Sequence, residues 1–219
     1  MSTKRRVPAA QAVRVKICGI TRMEDAELAL ELGADALGFN FWPRSRRFCD
    51  PAVAQQIVRR LPPLTSAVAV FVNQPRGEVQ RICAQIGATA IQLHGDETPE
   101  FCDGFSLPVI KAIQIRGPES LAACTQYRVS AFLMDTPSPR FGGTGRSFPW
   151  RALASRTDPR PILLAGGLTP ENVRRAIRQV RPYAVDVATG VESAPGVKSP
   201  KKMARFIAAA KRALLDTSR

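Results

Sequence analysis

With 219 residues, 45% of them hydrophobic, the chain can bury one substantial core, and a single domain is expected. No apolar run approaches the ~20 residues of a membrane helix, and the basic start of the chain lacks the apolar centre of a secretory leader. The formal charge of +14 would suit a polyanion, but the cations are dispersed and aromatics make up only 6%, too few for a base-stacking surface.

These features exclude a membrane partner and make a nucleic-acid partner the weaker reading; a cytoplasmic protein is expected. The five cysteines (Cys18, Cys49, Cys83, Cys102 and Cys124) are odd in number, widely spaced and free of any CxxC pair, which suits reduced thiols.

Residues 1–12 form a basic arm, expected to be flexible, and residues 13–219 form the domain. Apolar runs rich in Val, Ile and Leu occur at 13–17, 36–41, 67–72, 89–93, 109–115, 131–134, 161–165 and 184–187. They are nearly unbroken, as parallel strands covered on both sides should be. A helix-start signal follows each one. In the first unit, Thr21 and Glu24 have the spacing of a capping box. The others are Asp50-Pro51, Gln74-Pro75, Thr98-Pro99, Gly117-Pro118, Phe148-Pro149, Thr169-Pro170 and Ser199-Pro200. Proline suits the first helical position because its missing N–H has no partner to lose there. Between the signals, 24–32, 173–180 and 203–215 have helical apolar spacing.

Eight strand–helix units, recurring about every 25 residues, predict an α/β fold, a single (β/α)8 TIM barrel. The competing doubly wound sheet should place a glycine-rich turn after its first strand, and Cys18-Gly19-Ile20-Thr21 is not one.

In such a barrel the C-terminal ends of the strands converge on one mouth. Here they carry Cys18, Asn40, Asn73, His94, Arg116, Asp135, Gly166-Gly167 and Thr189-Gly190. Cys18 and Asp135 are two proton-transfer groups suited to acid–base work. Lys16 shares a face with Cys18, either lowering the thiol pKa from its usual ~8.5 or carrying a charge matched inside the barrel. Gly166-Gly167 after strand seven and the 184–192 stretch around strand eight let backbone N–H groups approach a phosphate. Arginines 44, 46 and 47 could clamp a carboxylate, and the glycine-rich loop 136–148 beside Asp135 reads as a lid.

Several motifs occur in one order: Lys16-Ile17-Cys18-Gly19-Ile20-Thr21, Gly38-Phe39-Asn40-Phe41 with Pro43-Arg44-Ser45-Arg46-Arg47, and Gln92-Leu93-His94-Gly95. Leu133-Met134-Asp135-Thr136, Phe141-Gly142-Gly143-Thr144-Gly145, Ala165-Gly166-Gly167-Leu168-Thr169-Pro170-Glu171-Asn172-Val173, and Val185-Asp186-Val187 through Gly190-Val191-Glu192 follow. From about Val13 to the last helix the chain closely resembles the phosphoribosylanthranilate isomerases of tryptophan biosynthesis.

The resemblance implies a barrel enzyme without cofactor or metal. It would convert N-(5-phosphoribosyl)anthranilate to 1-(2-carboxyphenylamino)-1-deoxyribulose 5-phosphate by an Amadori rearrangement. It implies Cys18 as general base, Asp135 as general acid and Arg47 as the ligand of the anthranilate carboxylate. It also implies Gly166, Gly167, Asp186, Thr189 and Gly190 in the phosphate-binding region. His94 matches a motif residue near the site and could equally be a structural hydrogen-bonding group.

The chain departs from the family pattern at Val187-Ala188-Thr189-Gly190, where Val-Ser-Ser-Gly is more familiar, though Thr189 keeps a hydroxyl. The expected partner is a small phosphorylated molecule, and the expected assembly a monomer or homodimer. The nearest alternative is the phosphoribosyl sugar isomerase of histidine biosynthesis, expected to carry an aspartate where Cys18 stands. A basic nucleic-acid-binding domain using Lys4, Arg5 and Arg6 is the non-enzymatic alternative.

Overall fold

A computed structural model describes residues 13–138 and 147–214. Eight parallel strands close into a barrel in chain order. They are β1 (Arg14–Cys18), β2 (Ala36–Asn40), β3 (Ser66–Phe71), β4 (Ala90–Leu93), β5 (Val109–Gln114), β6 (Ala131–Asp135), β7 (Ile162–Leu164) and β8 (Ala184–Val187). Closure is made by β1, where Lys16 stands opposite Ala36 of β2 and Asp186 of β8. Each strand begins and ends within one residue of its apolar run.

Strand alternation sorts the side chains into two layers. Outward residues such as Val15, Ile17, Phe132 and Met134 join the large core beneath the helices. Inward residues at the bottom of the barrel form a small plug that includes Ala112, Ala131, Leu133, Leu163 and Ala184. Above the plug the inward positions turn polar, with Lys16, Gln92, Asp135 and Asp186 all buried. A polar layer inside an apolar wall marks where the chemistry sits.

The helices are α1 (Met23–Glu31), α2 (Pro51–Val58), α3 (Arg76–Ile86), α4 (Pro99–Cys102), α5 (Pro118–Ala122), α6 (Val173–Val180) and α7 (Pro200–Arg212). Three of the expected caps form as expected. Asp50 accepts from the N–H of Ala52 at 2.7 Å, Thr98 from Phe101 and Ser199 from Lys202.

Others differ for identifiable reasons. Thr21 caps nothing: its hydroxyl donates to the Gly196 carbonyl at 2.6 Å, and α1 starts two residues on without a side-chain cap. Gln74 folds back to accept from the N–H of Val72 and donate to the Phe41 carbonyl. Thr169-Pro170 makes a turn and α6 waits until Val173, because Asn172 holds that turn through the N–H of Thr169 at 2.8 Å. Among its described residues the sixth unit has a 3-10 helix, Trp150–Ser155, in place of an α-helix; Pro159 and Pro161 bar its continuation as one.

One element has no counterpart in the expected pattern. After a 3-10 turn at Thr189–Val191, the chain forms an antiparallel hairpin, β9 (Glu192–Ala194) and β10 (Val197–Lys198). The hairpin rests on the loop between β1 and α1. Besides the Thr21 bond, the Lys198 N–H donates to Asp25 Oδ2 at 3.1 Å. The arm at 1–12, residues 139–146 of the expected lid loop and residues 215–219 lie outside the described residues.

Candidate active site

The mouth of the barrel opens into a cavity of about 1040 Å³. Cys18, Arg47, His94, Asp135, Gly166, Gly167, Asp186, Thr189 and Gly190 all line it, so one space gathers every site residue expected from the sequence. Asn73 and Arg116 are the strand-end residues that stay outside. Asn73 turns its side chain to the N–H of Asp96, and Arg116 bonds Gln114.

Asp135 ends β6, and its carboxylate is held at both oxygens. Oδ1 accepts from the N–H of Thr136 at 2.7 Å, and Oδ2 faces His94 Nε2 at 3.1 Å. Gln92 Nε2 lies 2.7 Å from His94 Nδ1. An amide nitrogen only donates, so Nδ1 accepts and the imidazole donates its Nε2–H to Asp135. His94 therefore stands in contact with the acid-bearing residue. Gly166 leaves room for this arrangement. Its φ is +80°, and a Cβ there would strike the Thr136 hydroxyl and stand 2.9 Å from Asp135 Oδ1.

On the opposite wall, Cys18 ends β1 and is 9% exposed. Lys16, one inward position below, is matched inside the barrel by Asp186 at 2.6 Å. Burial works against this ammonium, but Asp186 and Cys18 more than offset it and hold its pKa above the ordinary lysine value. Lys16 does act to lower the thiol pKa, as well as being matched by Asp186, but burial outweighs it. Burial is the largest influence on Cys18 and Asp186 adds to it, so the thiol lies above its ordinary value although Lys16 and Lys198 pull it down.

Arg47 reaches the mouth from the loop after β2. Its Nε and a terminal nitrogen grip Glu192 at 2.8 and 2.7 Å, and the same terminal nitrogen bonds the Thr189 hydroxyl at 3.0 Å. Glu192 also receives Lys198, whose ammonium is fully buried, at 3.0 Å.

The two loops expected to cradle phosphate lie side by side. Asn172 pins the first through the Gly167 carbonyl at 2.8 Å as well as through Thr169. Gly190 packs against the Leu168 carbonyl so closely that no side chain fits between the loops. Backbone N–H groups at such a junction are the usual receptors for a phosphate. Lys202 and Arg205 of α7 stand on the same rim.

Sequence reasoning missed Glu192, Lys198 and Gln92 as site residues. Glu192 and Gln92 sit within the motifs quoted above, next to residues that were read. Lys198 carries no sequence signal, because only the hairpin brings it under the mouth. Among the described residues no group of three or more His, Cys, Asp or Glu side chains could hold a metal ion.

The family model described as N-(5'phosphoribosyl)anthranilate (PRA) isomerase matches residues 15–209. The chain is 48% identical over 208 residues to the N-(5'-phosphoribosyl)anthranilate isomerase of Pelobacter propionicus, covering 94% of this chain and all of that one. The crystal structure of phosphoribosyl anthranilate isomerase from Thermotoga maritima superposes with a TM-score of 0.86 at 44% identity, covering 91% of this chain and 98% of that one. A further solved isomerase of this type, in complex with reduced 1-(o-carboxyphenylamino)-1-deoxyribulose 5-phosphate, superposes at 0.81 with 40% identity and the same coverage. The chain belongs to the N-(5'-phosphoribosyl)anthranilate isomerase family, the aldose–ketose isomerases of tryptophan biosynthesis.

Proposed function

We propose that Asp135 and Cys18 act as acid and base from opposite walls of the mouth, on a substrate whose phosphate lies on the paired glycine loops. The carrying observation is the placement of these two groups, at the ends of β6 and β1, around one cavity, with the loops after β7 and β8 on the rim between them.

Asp135 protonates the furanose ring oxygen of N-(5-phosphoribosyl)anthranilate, and the C1′–O bond breaks to leave a Schiff base. The N–H groups of Thr136 and His94 stabilise the carboxylate that remains, which favours proton release. The Cys18 thiolate then takes the C2′ proton, giving an enolamine. Protonation at C1′ and loss of the hydroxyl proton complete the ketone. Lys16 and Lys198 lie where they stabilise the thiolate against the penalty of burial.

Arg47 binds the anthranilate carboxylate. Its contacts to Glu192 hold the guanidinium plane in place, and the substrate carboxylate takes the remaining donors. Asp186 is a carboxylate paired with Lys16, so in the phosphate-binding region it holds that lysine in place and leaves the phosphate to other groups. Phosphate falls to the backbone of Gly166, Gly167 and Gly190 and to the Thr189 hydroxyl. The related isomerase that holds a reduced product supports a ligand of this size and charge.

The test is turnover of N-(5-phosphoribosyl)anthranilate, followed by loss of its fluorescence. Cys18→Ala and Asp135→Asn each lower kcat by ~10² or more while the fold persists. Near-normal turnover in either variant removes that residue from its role. Arg47→Ala raises KM, and an unchanged KM refutes the carboxylate contact.

A further inference from the structure

The hairpin β9–β10 does more than cover the loop after β1, because the buried end of its second strand reaches the base itself. Lys198 Nζ donates to the Cys18 carbonyl at 2.6 Å and to Glu192 Oε1 at 3.0 Å, and its side chain has no exposed surface. Glu192 in turn grips Arg47 and accepts the Gly196 N–H at 3.3 Å. One lysine thus ties the peptide of Cys18 to the arginine assigned to the substrate carboxylate.

The charges around the thiol can be counted element by element. Lys16 comes from β1, Asp186 from β8, Glu192 from β9, Lys198 from β10 and Arg47 from the loop after β2. Gly38, opposite Cys18 on β2, adds no charge. Asp25 beneath the hairpin is matched by Arg22, and Lys202, which bonds the Glu192 carbonyl, is exposed to water. Asp135 and His94 face the cavity from the other wall. The inner cluster therefore holds three cations and two carboxylates, all buried except Arg47, whose side chain is 17% exposed at the cavity. Buried charge in excess is expensive, and one more anion restores balance.

We infer that Lys198 is a positioning residue for Cys18, fixing its peptide and supplying the third cation of a buried cluster that a thiolate at Cys18 makes neutral. The electrostatic influence of Lys198 on the thiol, and of the thiol on Arg47, runs in the sense this requires. The consequence for catalysis rests on Cys18 being the base. The charge balance itself does not.

The experiment reads the thiol directly. Cys18 alkylation by iodoacetamide is followed against pH in the substrate-free protein, mapped by peptide mass, for wild type, Lys198→Met, Lys198→Arg and Glu192→Gln. Removing the cation moves the midpoint up by about one pH unit, which is roughly tenfold slower alkylation below both midpoints. Removing the anion in Glu192→Gln moves the midpoint down, and Lys198→Arg stays close to wild type.

An unchanged midpoint in Lys198→Met, or both variants shifting the same way as mere loosening would produce, overturns the inference. If Lys198→Met fails to fold, Glu192→Gln decides alone: a downward shift supports the inference and any other result overturns it. The pH profile of kcat/KM is measured in parallel. Midpoints that move as expected under a profile that stays fixed would support Lys198's role and overturn Cys18 as the base.

Discussion

Replacing Glu97 with alanine removes one half of an ion pair in which both side chains are 2% exposed. Lys111 lies on β5 between inward-facing Ile110 and Ala112, so its side chain leaves the barrel wall on the helix side. Its ammonium reaches Glu97 at 2.8 Å and the Gly95 carbonyl at 2.7 Å. Glu97 also accepts the N–H groups of Asn73 and Gly95 at 2.9 Å. The variant leaves an ammonium buried without its counter-charge and two backbone donors without a partner. Breaking a buried pair on one side costs about 3–5 kcal/mol. For a chain of this size each kcal/mol moves Tm by about 2–4 °C, so a fall of about 10 °C is expected. Urea unfolding with a calorimetric scan measures both quantities. The double variant Glu97→Leu/Lys111→Met, which removes both charges, should recover most of the loss. A loss below about 1 kcal/mol in Glu97→Ala, or a double variant worse than the single, would refute the reasoning.

Gly38→Ala places a Cβ 2.8 Å from Cys18 Sγ and 3.0 Å from Lys16 Nζ, so the thiol must shift. A displacement of that kind lowers kcat by ~10-fold or more with the melting curve nearly intact, and a wild-type kcat would contradict it. Burial alone would raise the Glu192 carboxyl, but Arg47 and Lys198 more than offset it, leaving the folded pKa below the ordinary 4.5. That contribution to stability is full above 4.5 and is lost as pH falls through the folded value. The stability gap between wild type and Glu192→Gln should therefore narrow on acidification, as unfolding curves at stepped pH will show. The thiols of Cys49 and Cys83 are pushed up to about 12 and those of Cys102 and Cys124 to about 11, all by burial. Burial raises Cys18 as well, but of the five thiols it alone lines the mouth cavity, so native protein should consume one equivalent of iodoacetamide, at Cys18, and denatured protein five.

The barrel was legible because parallel strands buried on both sides leave unbroken apolar runs, and these ended within one residue of β1 to β8. Cys18, His94, Asp135 and the glycine loops were legible because the fold sends strand ends to one place. What escaped has physical reasons too. Thr21 has the spacing of a cap, but a hairpin 175 residues away offers its hydroxyl a better partner in Gly196. Glu97 and Lys111 escaped notice, since nothing local says that their side chains meet behind the wall. Lys198 sits in a two-residue strand too short to leave a periodic signal. Lys16 was readable as an inward lysine, but whether Asp186 or Cys18 claimed it depended on the register of β1 against β8.

The crystal structure of the complex with a reduced analogue of the product tests the central pairing most directly. The account predicts the Cys18 sulfur about 3–3.5 Å from C2′, the Asp135 carboxylate on the opposite side of the ribose chain, and the phosphate on the amides of Gly166, Gly167 and Gly190. A ribose reached by only one of the two groups, or a sulfur turned away from C2′ with the phosphate in place, would contradict it.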